Sequence, residues 1–194
     1  PIVIAKQAAT LDVLSGGRLI LGAGVGWSAE EFAALGVPFA RRASRTKEYV
    51  DSMRTIWRED VASFQGEFVQ FDGIRVNPKP MGGRTIPIVL GGNSDAALRR
   101  VAQWGDGWYG FNLDGTAEVA QRVGYVKRWC REAGRDASDL HLAVSLQDPH
   151  PRDIAVLATL GINELVIVEG PPTDPEQAAD WVRDLADRWE PTQR

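Results

Sequence analysis

The sequence holds one cysteine, Cys130, and two histidines, His141 and His150, among 194 residues. A single cysteine excludes an intrachain disulfide and predicts a reducing, cytoplasmic setting. It cannot build a zinc site, and the two histidines lack ligand spacing, so no metal is expected. His141 lies on an apolar stretch and His150 in a proline-flanked loop; both read as structural or solvated. Basic charge is also scarce. Lysine and arginine total 22 against 26 acidic residues, giving a net charge of -4, and no basic stripe is present, which argues against a nucleic-acid partner. The longest apolar runs (19–25, 86–90 and 165–168) are far too short to span a bilayer, so no membrane partner is expected. The opening Pro1-Ile2-Val3-Ile4-Ala5-Lys6 carries neither a charged leader nor a cleavage site, which predicts no secretion signal.

What is present is an ordinary globular composition, 44% apolar and 25% charged, with a length that suits one domain over residues 1–194. Ile4, Ala8, Leu11 and Leu14 recur at helical spacing and predict a helix over 2–14, stopped by Ser15-Gly16-Gly17. Residues 18–22 form a short apolar run of the kind that is buried on both faces of a sheet. Ser28, with Glu31 three residues on, predicts a helix start. A longer amphipathic helix follows over 42–58, with Tyr49, Met53, Ile56 and Trp57 on its apolar side. Residues 61–80 break the rhythm. Segments 64–68 and 71–74 read as short strands with tight turns, an excursion and not a separate domain.

The alternation then resumes. Strands are expected over 86–90, 107–111, 140–146 and 165–168, and helices over 94–104, 116–133, 152–160 and 175–189. Five apolar strands, each followed by a helix, imply an α/β fold with a parallel sheet covered by helices. The pattern alone fits either a doubly wound open sheet or part of a barrel.

Two strand-to-helix turns are rich in glycine and suited to cradling a phosphate, because glycine lets backbone N–H groups approach an anion. The first, Gly22-Ala23-Gly24-Val25-Gly26-Trp27, resembles the dinucleotide fingerprint but has Trp27 where the last glycine belongs. No acidic residue closes a second buried strand some twenty positions on, so the Rossmann signal is weak. The second is Gly91-Gly92-Asn93-Ser94-Asp95, in which Asn93 or Ser94 offers a helix cap and Asp95 suits the helix dipole but would repel an adjacent phosphate. Plain helix capping explains this turn equally well. Trp57, Trp104, Trp129, Trp181 and Trp189 lie on amphipathic helices and read as packing. Trp27 and Trp108 lie at strand ends, where an indole can line a flat ring.

The run Ala9-Thr10-Leu11-Asp12-Val13-Leu14-Ser15-Gly16-Gly17-Arg18-Leu19-Ile20-Leu21-Gly22-Ala23-Gly24-Val25-Gly26-Trp27, followed by Glu30-Glu31-Phe32, closely resembles the luciferase-like flavin-dependent family. The match is nearest to the branch that uses the deazaflavin coenzyme F420. Arg42 to Trp57, Phe64-Gln65-Gly66-Glu67-Phe68, Pro78-Lys79-Pro80, Pro87-Ile88-Val89-Leu90-Gly91-Gly92 and Gly105-Asp106-Gly107-Trp108-Tyr109 follow in the family's order. The resemblance is strong to about residue 130 and looser beyond.

It implies a (β/α)8 TIM barrel with its cofactor at the carboxyl ends of the strands. Residues 18–22 then look like strand four, 61–80 like the family's β insertion before strand five, and the later strands like five to eight. Strands one to three, where the family carries proton-donating or substrate-orienting residues, have no counterpart here; at roughly 30 residues per unit about 90 are missing. The catalytic residues are therefore left unassigned. By the same resemblance Gly24, Val25, Gly26 and Trp27 look like a wall of the cofactor pocket, Gly91, Gly92, Asn93 and Ser94 like phosphate contacts, and Trp108 like part of the lining.

The expected activity is hydride transfer between reduced F420 and a small organic substrate. An FMN-dependent monooxygenase is the alternative, and a non-catalytic, truncated binding protein the third reading. Five strands cannot close an eight-stranded barrel, so a homodimer covering the open edges and the inward faces of Leu19, Leu21, Val89 and Val166 is expected.

Overall fold

A computed structural model describes residues 1–189. Strands β1 (Leu21–Ala23), β4 (Ile88–Gly91), β5 (Gly107–Leu113), β6 (His141–Leu146) and β7 (Glu164–Leu165) form one sheet in the order β1-β4-β5-β6-β7. The pairings β1–β4 and β6–β7 are parallel. A doubly wound sheet reverses direction around its first strand, whereas these strands add one after another in chain order, which is the order of a barrel arc. The architecture is a partial TIM barrel. Helices follow the strands: α2 (Ala29–Ala34) and α3 (Arg42–Arg58) after β1, then α4 (Asp95–Trp104), α5 (Thr116–Glu132), α6 (Asp153–Leu160) and α7 (Ala178–Trp189) after β4 to β7 in turn. The chain divides into two compact units, Pro1–Gly91 with Trp104–Gly107, and Gly92–Gln103 with Trp108 onward.

In the first unit, α1 (Ile2–Leu14) has the expected bounds and a different inner face. Ala5, Ala8, Ala9 and Asp12 are buried, while Ile4, Leu11 and Leu14 are exposed. Small side chains let α1 approach α3 closely, and the Trp57 indole N–H donates to the Ala5 carbonyl at 2.9 Å. Asp12 is fully buried and satisfied: its carboxylate accepts the N–H groups of Leu19 and Met81 and pairs with Arg84. The bond to Leu19 also explains why β1 begins at Leu21 and not at Arg18, since this stretch is tied to the end of α1. Nor is β1 buried on both faces; as the first strand of the sheet it is half-buried to exposed.

The excursion forms an antiparallel hairpin, β2 (Ala62–Gln65) and β3 (Gln70–Ile74), with Phe64 stacked on Phe71. Residues 66–68 were expected in the first strand and instead form its turn. The Glu48 carboxylate on α3 accepts the N–H groups of Glu67, Phe68 and Val69, replacing ladder bonds.

In the second unit, the apolar stripe of α5 (Val119, Val123, Val126, Trp129 and Cys130) is buried, and burial pushes the Cys130 thiol pKa up. The last strand is shorter than expected. Only Glu164 and Leu165 are strand, the Val166 N–H still reaches the Val144 carbonyl at 2.8 Å, and Val168 is 62% exposed. His141 faces Glu164 at 3.2 Å and His150 faces the Asp148 carbonyl. No helix among the described residues is long and apolar enough to cross a membrane.

Candidate functional site at the carboxyl ends of the strands

The parallel register sets Gly22 beside Val89 and Ala23 beside Leu90. Two neighbouring parallel strands release their chains at the same end, so Gly24 and Gly91 both leave from the carboxyl edge of this pair. That edge is where barrel and open α/β folds place their ligands.

The first turn is held from one side. Gly26 has φ +77°, and a Cβ there would meet the Phe32 ring at 2.6 Å. Only glycine fits both demands. Phe32 packs edge-on against Phe39, and Arg42 stacks over Phe39 while donating to the Gly26 carbonyl at 3.0 Å. Ser28 caps α2 by accepting the Glu31 N–H at 3.2 Å. Its hydroxyl donates to Glu30, whose carboxyl lies below its ordinary pKa through its own backbone N–H and this hydroxyl. Val25 is half-buried. Gly24 faces open space, and Trp27 is 86% exposed.

The second turn is pinned at each residue. Gly92 has φ +121°, and a Cβ there would lie 2.9 Å from that of Ala97. Its N–H donates to the Tyr109 carbonyl, and its carbonyl accepts the Trp108 indole N–H at 2.9 Å. Trp108 is fully enclosed, so it supports the turn from beneath and offers no surface to a ligand. The Asn93 amide donates to the Phe111 carbonyl at 2.7 Å and accepts the Phe111 N–H at 3.2 Å. This clamp spends the side chain on β5. Ser94 caps α4 by accepting the Ala97 N–H at 3.2 Å, which leaves its own hydroxyl proton free to donate. The N–H groups of Asp95 and Ala96, in the first turn of α4, have no intrahelical acceptor. Gly91 has nothing within 4 Å of where a Cβ would be.

Beside this turn stands a group of residues that sequence reading missed. Ser145, 1% exposed on β6, accepts the Asn112 N–H at 2.9 Å and faces the Tyr109 hydroxyl at 3.4 Å. Asn112 has φ 54°, which turns the end of β5. Tyr109 and Phe111 present neighbouring rings, and Phe111 is 54% exposed. Arg122 on α5 pairs with Glu118 at 3.1 Å and lies 3.9 Å from Asp95, offsetting the acidic charge at the start of α4. The available signal was Ser145 itself, a hydroxyl within the apolar run 142–146, because a buried polar group must have partners.

The site fits a phosphate-bearing cofactor. Gly91 leaves open space, the positive φ of Gly92 turns the chain there, and the first turn of a ten-residue helix carries N–H groups that have no intrahelical acceptor.

Strands in sequential parallel order, with glycine turns at their carboxyl ends, define the loop-bearing face of a (β/α)8-type barrel. The family model for luciferase-like monooxygenases matches residues 1–147. The chain belongs to that family, a group of oxidoreductases and monooxygenases. An uncharacterised protein of Mycobacterium tuberculosis is 34% identical over 187 residues, which are 96% of this chain and 64% of that protein. The chain thus spans less than two thirds of that relative's length. An FMNH2-dependent dimethylsulfone monooxygenase of Pseudomonas putida is 32% identical over 130 residues, 66% of this chain and 36% of the relative. Among solved structures, an F420-dependent secondary alcohol dehydrogenase bound to an F420–acetone adduct superposes with a TM-score of 0.76 at 17% identity, covering 98% of this chain and 76% of that one.

Proposed function

We propose that this chain forms the cofactor-binding part of an oxidoreductase that passes a hydride between reduced F420 and a small organic substrate. The observation that carries this reading is the pinned turn at Gly91–Ser94 leading into α4. The N–H groups of Asp95 and Ala96 and the Ser94 hydroxyl hold the phosphate, Gly91 gives it room, and Asn93 and Trp108 fix the turn. Gly24, Val25, Gly26 and Trp27 supply a wall with an exposed indole for a flat ring system. When bound, the cofactor supplies the hydride chemistry, while the protein binds, orients and excludes water. F420 is preferred because the resemblance carried by residues 9–32 is nearer to the deazaflavin branch.

The second reading is FMN-dependent oxygenation, favoured by the Pseudomonas putida relative, which is FMNH2-dependent. Titrating F420 and FMN while following fluorescence separates the two: F420 should bind more tightly, and equal or tighter FMN binding overturns the assignment. Oxygen uptake with reduced FMN then tests the oxygenase directly. The working protein is taken as a homodimer, supported by exposed Ile20 just before β1 and Val168 just after β7, the first and last strands of the sheet. Sedimentation at two concentrations measures this.

A further inference from the structure

The second unit carries a separate cleft at the other end of β6. The candidate cofactor turn has Ser145 as neighbour, near the carboxyl end of that strand. Leu140 and Leu142, at its amino end, instead line an open cleft of about 930 Å³, within the range of small-molecule sites, roughly 300–1,000 Å³. The other walls are the end of α5 with Lys127 and Arg131, the loop around Asp136 and Ser138, and the end of α6 at Leu160 and Gly161.

Two properties single this cleft out. Its floor is apolar, with Leu140 and Leu142 each 4% exposed and Leu160 half-buried. Its rim is basic in a chain of net charge -4, with Lys127, Arg131 and Arg135 against Asp136 alone.

Cations at helix ends ordinarily serve the unpaired carbonyls there. Here those carbonyls already have donors. Ala133, Gly134 and Arg135 N–H groups take Trp129, Cys130 and Arg131, while Gly161 and Ile162 take Ala158 and Leu157. The Arg135 guanidinium takes the Val101 and Ala102 carbonyls, and Lys127 reaches Leu160 at 3.4 Å. Asp136 is occupied by the Ser138 N–H. The Arg131 guanidinium has no hydrogen bond or ion pair among the described residues, and it stands exposed on the rim over an apolar floor.

We propose that this cleft binds a small amphiphilic carboxylate, with the head on Arg131 and Lys127 and the apolar body on Leu140, Leu142 and Leu160. A guanidinium offers a paired-donor fork that matches a carboxylate. The site lies wholly within one unit and at the strand end away from the cofactor turn. Its test is therefore independent of the cofactor assignment.

The probes are sodium decanoate, 1-decanol and inorganic phosphate, titrated into the 194-residue chain while backbone amide shifts are followed by NMR. Decanoate should saturate and shift the amides of Leu142, Gly161 and Asn163. Arg131→Ala, an exposed change that spares the core, should raise its Kd about tenfold or more, as loss of a charge-assisted bond does. Lys127→Ala should raise it less. The proposal is overturned if decanol binds as tightly as decanoate, if phosphate alone does, if Arg131→Ala leaves the Kd unchanged, or if the shifted amides lie elsewhere.

Discussion

The turn from Gly22 to Trp27 and the turn from Gly91 to Ser94 are alike in composition and unlike in construction. The first leads into a six-residue helix, and past the end of β1 the contacts that hold it among the described residues are Arg42 on the Gly26 carbonyl and the Phe32 ring. The second leads into a ten-residue helix and is tied to β5 through Gly92, Asn93 and Trp108. Glycine content alone therefore does not separate a pocket wall from an anion cradle. Under the proposed function, helix length and the number of bonds fixing the turn make that distinction, because an anion site must already be in place when the charge arrives.

The strongest way to break this contrast is Gly92→Val. The strained φ costs on the order of 1–3 kcal/mol, and the crowding against Ala97 adds to it. Thermal melting should fall by several degrees and cofactor affinity should collapse. Gly91→Ala is its partner measurement. That Cβ enters open space, so melting should move by less than about 0.5 kcal/mol equivalent while cofactor affinity still drops. If Gly91→Ala binds cofactor as well as the parent does, the phosphate is not there.

Trp108→Phe and Trp27→Ala sharpen the comparison next. The first leaves the half-buried Gly92 carbonyl without its indole donor and should cost about 1 kcal/mol in urea unfolding. The second removes an indole that is 86% exposed and should leave unfolding within about 0.5 kcal/mol while weakening cofactor binding. A stability loss from Trp27→Ala would mean that the first turn is also structural. Ser94→Ala removes both a cap and a donor, with an expected loss of about 1 kcal/mol in stability and a modest rise in cofactor Kd.

The smallest effect concerns Glu118. Its bond to the Asp114 N–H, and then its contact with Arg122, hold its pKa below the ordinary 4.5. A group with a depressed folded pKa contributes stability above its unfolded value, and that contribution is lost as pH falls through the folded value. The melting temperature should therefore decline slightly less steeply below about pH 4.5 in Glu118→Gln than in the parent. An identical acid limb would show that the bond is not maintained in solution.

Much of the architecture was legible. The end of α1 follows from Ser15-Gly16-Gly17 and the bounds of α3 from apolar spacing, and the run of strands and helices set the parallel sheet. Failures came where a side chain replaced an expected backbone bond. Glu48 turned a predicted strand into a loop, and Asp12 delayed the start of β1. The inner face of α1 was misread because close helix packing favours Ala5 and Ala9 over larger Ile4 and Leu11. At the candidate site, the glycines and the Ser94 cap could be read from local pattern. The Asn93 clamp, the Trp108 support and the Ser145 cluster could not, since each joins residues at least sixteen positions apart.

Asp12 also constrains the timing of synthesis. Two of its partners, Met81 and Arg84, lie 69 and 72 residues further along the chain. At roughly 5–20 residues per second, a ribosome needs several seconds to cover that distance. Through that interval the carboxylate has no reason to leave water, because burial without partners carries a large penalty. The first helix can form early but cannot settle into its final seat until the segment after the hairpin has emerged. Residues 1–84 therefore mature together, and a nascent chain halted before Met81 should present α1 to proteases and chaperones that the longer chain excludes.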